Sequence, residues 1–158
     1  MKMPEEFLEP HQEPCVSEEE FAALEAAYGV VLPEDMKAFY RRQNGGRMKS
    51  GKNYVLQDGL PLTAFHPIAR AFADCYLTLN TLLEWQQMDG LLPNTLVPFC
   101  SDAGGDFYYI QADGRNEKVY YIFHEDDDEY LDHPEDCLAA DSFTDFLENI
   151  RIRPDGEA

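Results

Sequence analysis

Between Leu96 and Phe123 the chain offers three short apolar runs, Leu96–Cys100, Phe107–Gln111 and Val119–Phe123, separated by glycine-containing turns. Runs of this length, rich in Val, Ile, Phe and Tyr, fit strands better than helices. Asp113-Gly114, within the seven-residue connection between the second and third runs, marks a reversal, so this pair is expected to run antiparallel. Phe107-Tyr108-Tyr109-Ile110 does not alternate apolar with polar residues, which predicts a sheet covered on both faces. The rest of the chain must supply that cover.

The flanking segments read as helices. Ser17 with Glu20 three residues on is a capping box, and Phe21, Leu24 and Tyr28 form one apolar stripe that stops at Gly29. Pro33 opens a second helix with Met36, Phe39 and Tyr40 inward, ended by Asn44-Gly45-Gly46, and the two helices are expected to pack as a pair. Short strands are expected near Tyr54–Leu56 and Leu62–Phe65. A third helix is expected over about Thr78 to Met88, with Leu79, Leu82, Leu83 and Trp85 on or near its buried side. Phe143, Phe146, Leu147 and Ile150 mark a last helix, capped by Asp141 or Ser142. The order predicts one α+β domain over residues 17–150. Residues 1–16, with three prolines and no periodicity, read as an extended arm, and 151–158 as a tail. At 158 residues such a domain buries roughly 68–70% of its unfolded surface and needs no disulfide or metal to fold.

Taken together and in order, these pieces resemble the SUKH superfamily, also named for the yeast cell-wall-synthesis regulator Smi/Knr. Leu24-Glu25-x-x-Tyr28-Gly29-x-x-Leu32-Pro33-x-Asp35, Phe39-Tyr40 and Asn44-Gly45-Gly46 are similar to its opening signature. Leu96-Val97-Pro98-Phe99, Asp102 and Gly104-Gly105-Asp106 resemble its central motif. Val119-Tyr120-Tyr121 with His124-Glu125, and Ser142-Phe143-x-x-Phe146-Leu147, match its last strand and closing helix. The resemblance implies a central, mostly antiparallel sheet flanked by helices. For bacterial members it also implies an immunity protein that binds and neutralises a cognate toxin, often a nuclease, without catalytic residues or cofactors of its own. The motif residues Tyr28, Gly29, Leu32, Pro33, Gly45, Gly46, Gly104, Gly105 and Asp106 are then structural. Eukaryotic relatives imply the alternative of a regulatory or scaffold domain.

Signatures of catalysis are missing. There is no GxxxxGK[ST] phosphate loop, no HExxH and no GxSxG elbow. His124, Asp126, Asp128, Asp132 and His133 cluster, but a calcium loop counted from Asp126 puts Leu131 at the sixth position, where a glycine is needed. No metal site is expected. A small hydrolase using paired carboxylates is the rival from another class, although among 31 acids a pair carries no weight. The four cysteines show no CxxC and read as reduced thiols of a cytoplasmic protein. Met1 to Pro14 lacks the apolar core of a signal peptide.

Charge is the informative feature. The 31 acids against 12 basic residues give a net −19, which argues against nucleic acid and anionic membrane as partners and favours a basic protein. Between Val119 and Ile150 lie 11 acids and no lysine or arginine, while Lys37, Arg41, Arg42, Arg47, Lys49 and Lys52 crowd one basic segment. Glu125, Asp126, Asp127, Asp128, Glu129 and Asp132, with Tyr130 among them, are the expected contact residues for a basic toxin. A solvated loop serving solubility is the alternative.

Overall fold

The computed structural model describes residues 1–56, 60–72, 75–123 and 127–154. Its centre is an antiparallel six-stranded sheet in the order β1 (Gly46–Arg47), β3 (Leu62–Phe65), β4 (Leu96–Asp102), β5 (Phe107–Gln111), β6 (Val119–Ile122) and β7 (Leu138–Ala140). A separate ribbon pairs β2 (Asn53–Val55) with β8 (Arg151–Arg153). The helices are α1 (Glu18–Tyr28), α2 (Glu34–Arg42), α3 (Leu79–Asp89), α4 (Asp127–Asp132) and α5 (Phe143–Glu148). This is the α+β architecture that the sequence predicts, and none of the described helices is long and apolar enough to cross a membrane.

Local signals account for the elements. Ser17 Oγ accepts from the Glu20 amide at 3.2 Å while the Glu20 carboxylate accepts from the Ser17 amide at 3.0 Å, so two orphan donors of α1 are satisfied reciprocally. Ser142 caps α5 one way, its hydroxyl accepting from the Asp145 amide at 3.0 Å. Pro98 lies inside a central strand, where its missing N–H would break the ladder. The β4–β5 register shifts between Pro98 and Cys100, a bulge that accommodates it. Both sheet faces are covered. Phe65, Phe99 and Tyr108 pack against Phe143 and Phe146 of α5 on one face, while Leu96, Tyr120 and Ile122 form a smaller core with Leu92, Tyr130 and Cys137 on the other.

The signature residues brace the scaffold. The Glu25 carboxylate accepts from the Leu32 amide at 2.9 Å, which folds the Tyr28-Gly29 to Leu32-Pro33 link back onto α1. Asp35 accepts from both the amide and the hydroxyl of Thr144, at 2.9 and 2.8 Å, and so ties α2 to α5. Asn44 is buried and exchanges two hydrogen bonds with the backbone of Ile68. At Gly45 (φ +66°) a Cβ would sit 2.5 Å from the Phe65 carbonyl oxygen, so the turn before β1 admits only glycine. In the β4–β5 turn, Asp102 Oδ1 accepts from the amides of Gly104 (2.9 Å) and Asp106 (3.1 Å), and Oδ2 accepts from the Tyr121 hydroxyl. Gly105 takes the positive φ of +86° that closes this turn.

Three expectations need correction. The N-terminal segment is not an extended arm: Pro4–Glu6 forms a 3-10 turn, and Phe7, Leu8 and Val16 are buried in the main core. Residues 151–153 are not a tail but a strand of the second ribbon. Trp85 is half exposed, off the buried stripe of α3. The α1–α2 pair does meet, with Lys37 and Arg41 lying over the Phe21 ring at 5.9 and 5.6 Å.

His66, at the end of β3, is buried, and its Nε2 lies 3.1 Å from Ser101 Oγ. Burial lowers the imidazole to about 4, against a smaller upward pull from the Leu77 backbone. The unfolded chain therefore binds the extra proton first as pH falls. The contribution of this site is whole above pH ~6.5 and drains toward pH ~4. At pH 4.5 the loss is about 2–3 kcal/mol. Urea unfolding of wild type and His66→Gln at pH 7.5 and 4.5 checks this: wild type is expected to lose more stability than the variant by that amount, and parallel losses would contradict it.

Candidate functional site

The acidic segment is not a loose loop. Asp127, Asp128 and Glu129 occupy the first turn of α4, where carboxylates complement the helix dipole. The His133 amide donates to the Glu129 carbonyl at 2.7 Å, and a 3-10 turn over Pro134–Cys137 follows directly. Two side chains clamp this unit to the sheet. Tyr130 sets its ring edge against Tyr120, centroids 5.1 Å apart, and Cys137 is buried in the same small core. Burial pushes the Tyr130 phenol up to about 12, with Tyr120 and Cys137 adding to the shift. The neighbouring Tyr109 is raised to about 12 as well, by burial first and then by Asp127 and Asp106.

What faces outward is carboxylate. Asp128, Glu129, Asp132, Glu135 and Asp136 are exposed and Asp127 is half-buried. The side chains of Asp128, Glu129 and Asp132 have no cation within ion-pair distance among the described residues. Glu125 and Asp126, expected to belong to the same face, lie outside the described residues, as does His124. Tyr130 belongs to the expected set but points inward, where it holds the helix. The exposed apolar residues interleaved with the acids are Leu131 and Leu138, and Phe123 precedes them. None of these three is among the contact residues expected from the sequence, although an apolar side chain inside an acidic run is a visible signal.

Half of the basic pole is spent internally. Arg41 bridges Glu18 (2.6 Å) and Glu34 (2.9 Å), Lys37 reaches Glu25 at 3.4 Å, and Arg42 pairs with Glu5. These pairs tie α2 to α1 and to the N-terminal segment. The charge asymmetry of the sequence therefore becomes an asymmetry of availability: half of the basic cluster is occupied at home, while the acids of α4 look outward.

Among the described residues, His133, Glu135 and Asp136 bring ligand atoms within 4.8 Å of one another, all on the exposed surface. Exposed acids gather this way without any ion, and the Nδ1 of His133 already lies 3.7 Å from Glu135. Gly104, Gly105 and Asp106 sit in the β4–β5 turn and brace it, apart from α4.

With that geometry in view, the profile of the SMI1 / KNR4 family (SUKH-1) matches residues 15–149. The chain belongs to the SUKH-1 family. Comparison with the curated proteins returned no match. The SUKH-1 match spans the braced signature and the main sheet. It begins after the buried residues Phe7 and Leu8, so these add to the core from outside the matched range.

Proposed function

We propose that this SUKH-1 chain is an immunity protein of the cytoplasm that binds a basic toxin, of nuclease type, and occludes it with the acidic face of α4 and the turn after it. The observation that carries the reading is the pairing pattern: Arg41, Arg42 and Lys37 are neutralised by neighbours, whereas Asp128, Glu129 and Asp132 stand exposed on a clamped helix. Holding six like charges on a rigid surface opposes folding by self-repulsion, so a cationic partner gives the arrangement a purpose. Carboxylates would take the place of nucleic-acid phosphates against the lysines and arginines that line a nuclease site. Glu125, Asp126 and Asp127 belong to the same proposed contact set. Leu131 and Leu138 supply the apolar area that can be desolvated at its centre. No step of chemistry is required of this chain.

Co-expression with the product of the gene beside its own tests the reading. The two proteins are expected to purify as one complex, and toxin-producing cells are expected to survive. Free toxin activity in the presence of excess folded chain would defeat it.

A further inference from the structure

A second surface reverses the charge logic of the first. A cleft of about 640 Å³ lies between the N-terminal segment and the β2–β8 ribbon, a volume within the usual range for ligand sites. Half-exposed Ile152 supplies its apolar surface, over a floor of the buried Phe7, Tyr54 and Ile150. Lys2, Lys49 and Lys52 bring three ammonium groups against the single carboxylate of Glu6, with Arg151, which has a partner of its own, beside them. In a chain with 31 acids and 12 basic residues, such a local excess is the opposite of the average. Two of the lysines are also held in place. Lys2 Nζ donates to the Ile150 carbonyl at 2.7 Å and Lys49 Nζ to the Glu5 carbonyl at 2.7 Å. Both ammonium groups are thus fixed by main-chain oxygens, and neither has a carboxylate within ion-pair distance among the described residues. Lys52 is exposed and has no polar partner among the described residues.

We infer that this cleft binds an acidic peptide segment, an apolar side chain seated against Ile152 with flanking carboxylates on the lysines. The apolar lining is what favours a peptide, because a bare phosphate would leave it uncovered. Each strand of the ribbon also has one edge that pairs with no other strand among the described residues, where an extended peptide can add main-chain hydrogen bonds. A long anionic polymer is disfavoured, since the net −19 of the molecule repels everything that extends beyond the cleft. The site is independent of the acidic face, and a chain that fails here can still capture a toxin through α4.

The test is calorimetric titration at 50 mM salt with a blocked five-residue peptide of alternating glutamate and leucine. Wild type is expected to bind it, and Lys52→Glu to weaken binding about tenfold, since it both removes and reverses a charge at the rim. Lys49→Gln is expected to weaken it severalfold and the distant Arg115→Glu to leave it unchanged. The same peptide with glutamine for glutamate is expected not to bind. The proposal is overturned by no binding to wild type, by equal binding to folded Lys52→Glu, or by pyrophosphate binding as tightly as the peptide.

Discussion

Asp102→Ala is expected to destabilise the protein by about 3–4 kcal/mol, measured as a lower urea midpoint at unchanged slope. The Asp102 carboxylate is buried and accepts from two turn amides and the Tyr121 hydroxyl. Hydrogen bonds to a charged group contribute about 1.5–3 kcal/mol each, and their effects in one network do not simply add. Alanine would leave the amides of Gly104 and Asp106 facing a void at the end of β4. Burial raises the Tyr121 phenol well above its ordinary range and the adjacent Asp102 raises it further, so the tyrosine stays a donor across the physiological range and requires that acceptor. Asp102→Asn keeps one acceptor for the turn amides and is expected to cost about half as much. An alanine variant as stable as wild type would mean that the Gly104-Gly105-Asp106 turn holds itself.

Phe7→Ala is expected to cost about 3–5 kcal/mol, the range for deleting a buried aromatic ring. Phe7 is 2% exposed, and its ring meets those of Phe39 (5.9 Å), Tyr54 (6.4 Å) and Phe65 (5.6 Å). At roughly 2–4 °C per kcal/mol for a chain of this size, the midpoint of thermal unfolding should fall by about 6–20 °C. The extended arm that the sequence suggests would give a change within about ±0.5 kcal/mol, as for other surface substitutions. The two accounts are therefore far apart. Glu5→Ala is the companion measurement: its exposed pair with Arg42 is worth under about 1 kcal/mol, so a large loss there would point to the turn itself and not to the ring.

The contrast between α1 and the N-terminal segment shows what a sequence can reveal. Helix α1 announces itself through a reciprocal cap and a stripe of three apolar residues, signals that recur over 11 residues. Phe7 and Leu8 are two adjacent apolar residues between prolines, and no period exists over two positions. The same limit hid α4, in which one residue of six, Tyr130, faces the protein. It also hid β7 and β8, three residues each, whose pairing partners lie far along the chain. Trp85 failed for a different reason. Leu79, Leu82 and Leu83 define the buried side of α3, and a residue six positions after Leu79 lies about 240° round the helix from it. Gln86, back on the stripe, turns inward instead and donates to the Leu96 carbonyl at 2.6 Å.

For the candidate site, the charge was legible and its setting was not. Counting residues finds the acids between Val119 and Ile150 and the bases between Lys37 and Lys52, but not which of them have partners. Arg41 pairs with Glu18 from 23 residues away, and Arg42 with Glu5 from 37. Such pairings follow from how α1, α2 and the first turn are stacked, which no local pattern encodes. Tyr130 stands among the acids and so invites reading as a contact residue. Only the packing of α4 on Tyr120 shows that it serves as the clamp, leaving Leu131 and Leu138 as the outward apolar pair.

The most direct test of the acidic face is the association rate with the toxin proposed as its partner, measured from low to high salt for wild type and for Asp128→Asn, Glu129→Gln, Asp132→Asn combined. Complementary charge raises association from about 10⁵–10⁶ toward 10⁸–10⁹ M⁻¹s⁻¹ at low salt and loses that gain as ions screen it. Wild type is expected to associate fast with a steep fall on adding salt, and the triple variant to associate ten- to hundredfold more slowly with a shallow one. Arg41→Gln with Arg42→Gln should not slow association, because those cations are held by Glu18, Glu34 and Glu5 and their removal leaves the carboxylates of α4 in place. Identical rates and slopes for wild type and the triple variant would contradict the account and leave the carboxylates of α4 as surface charge only.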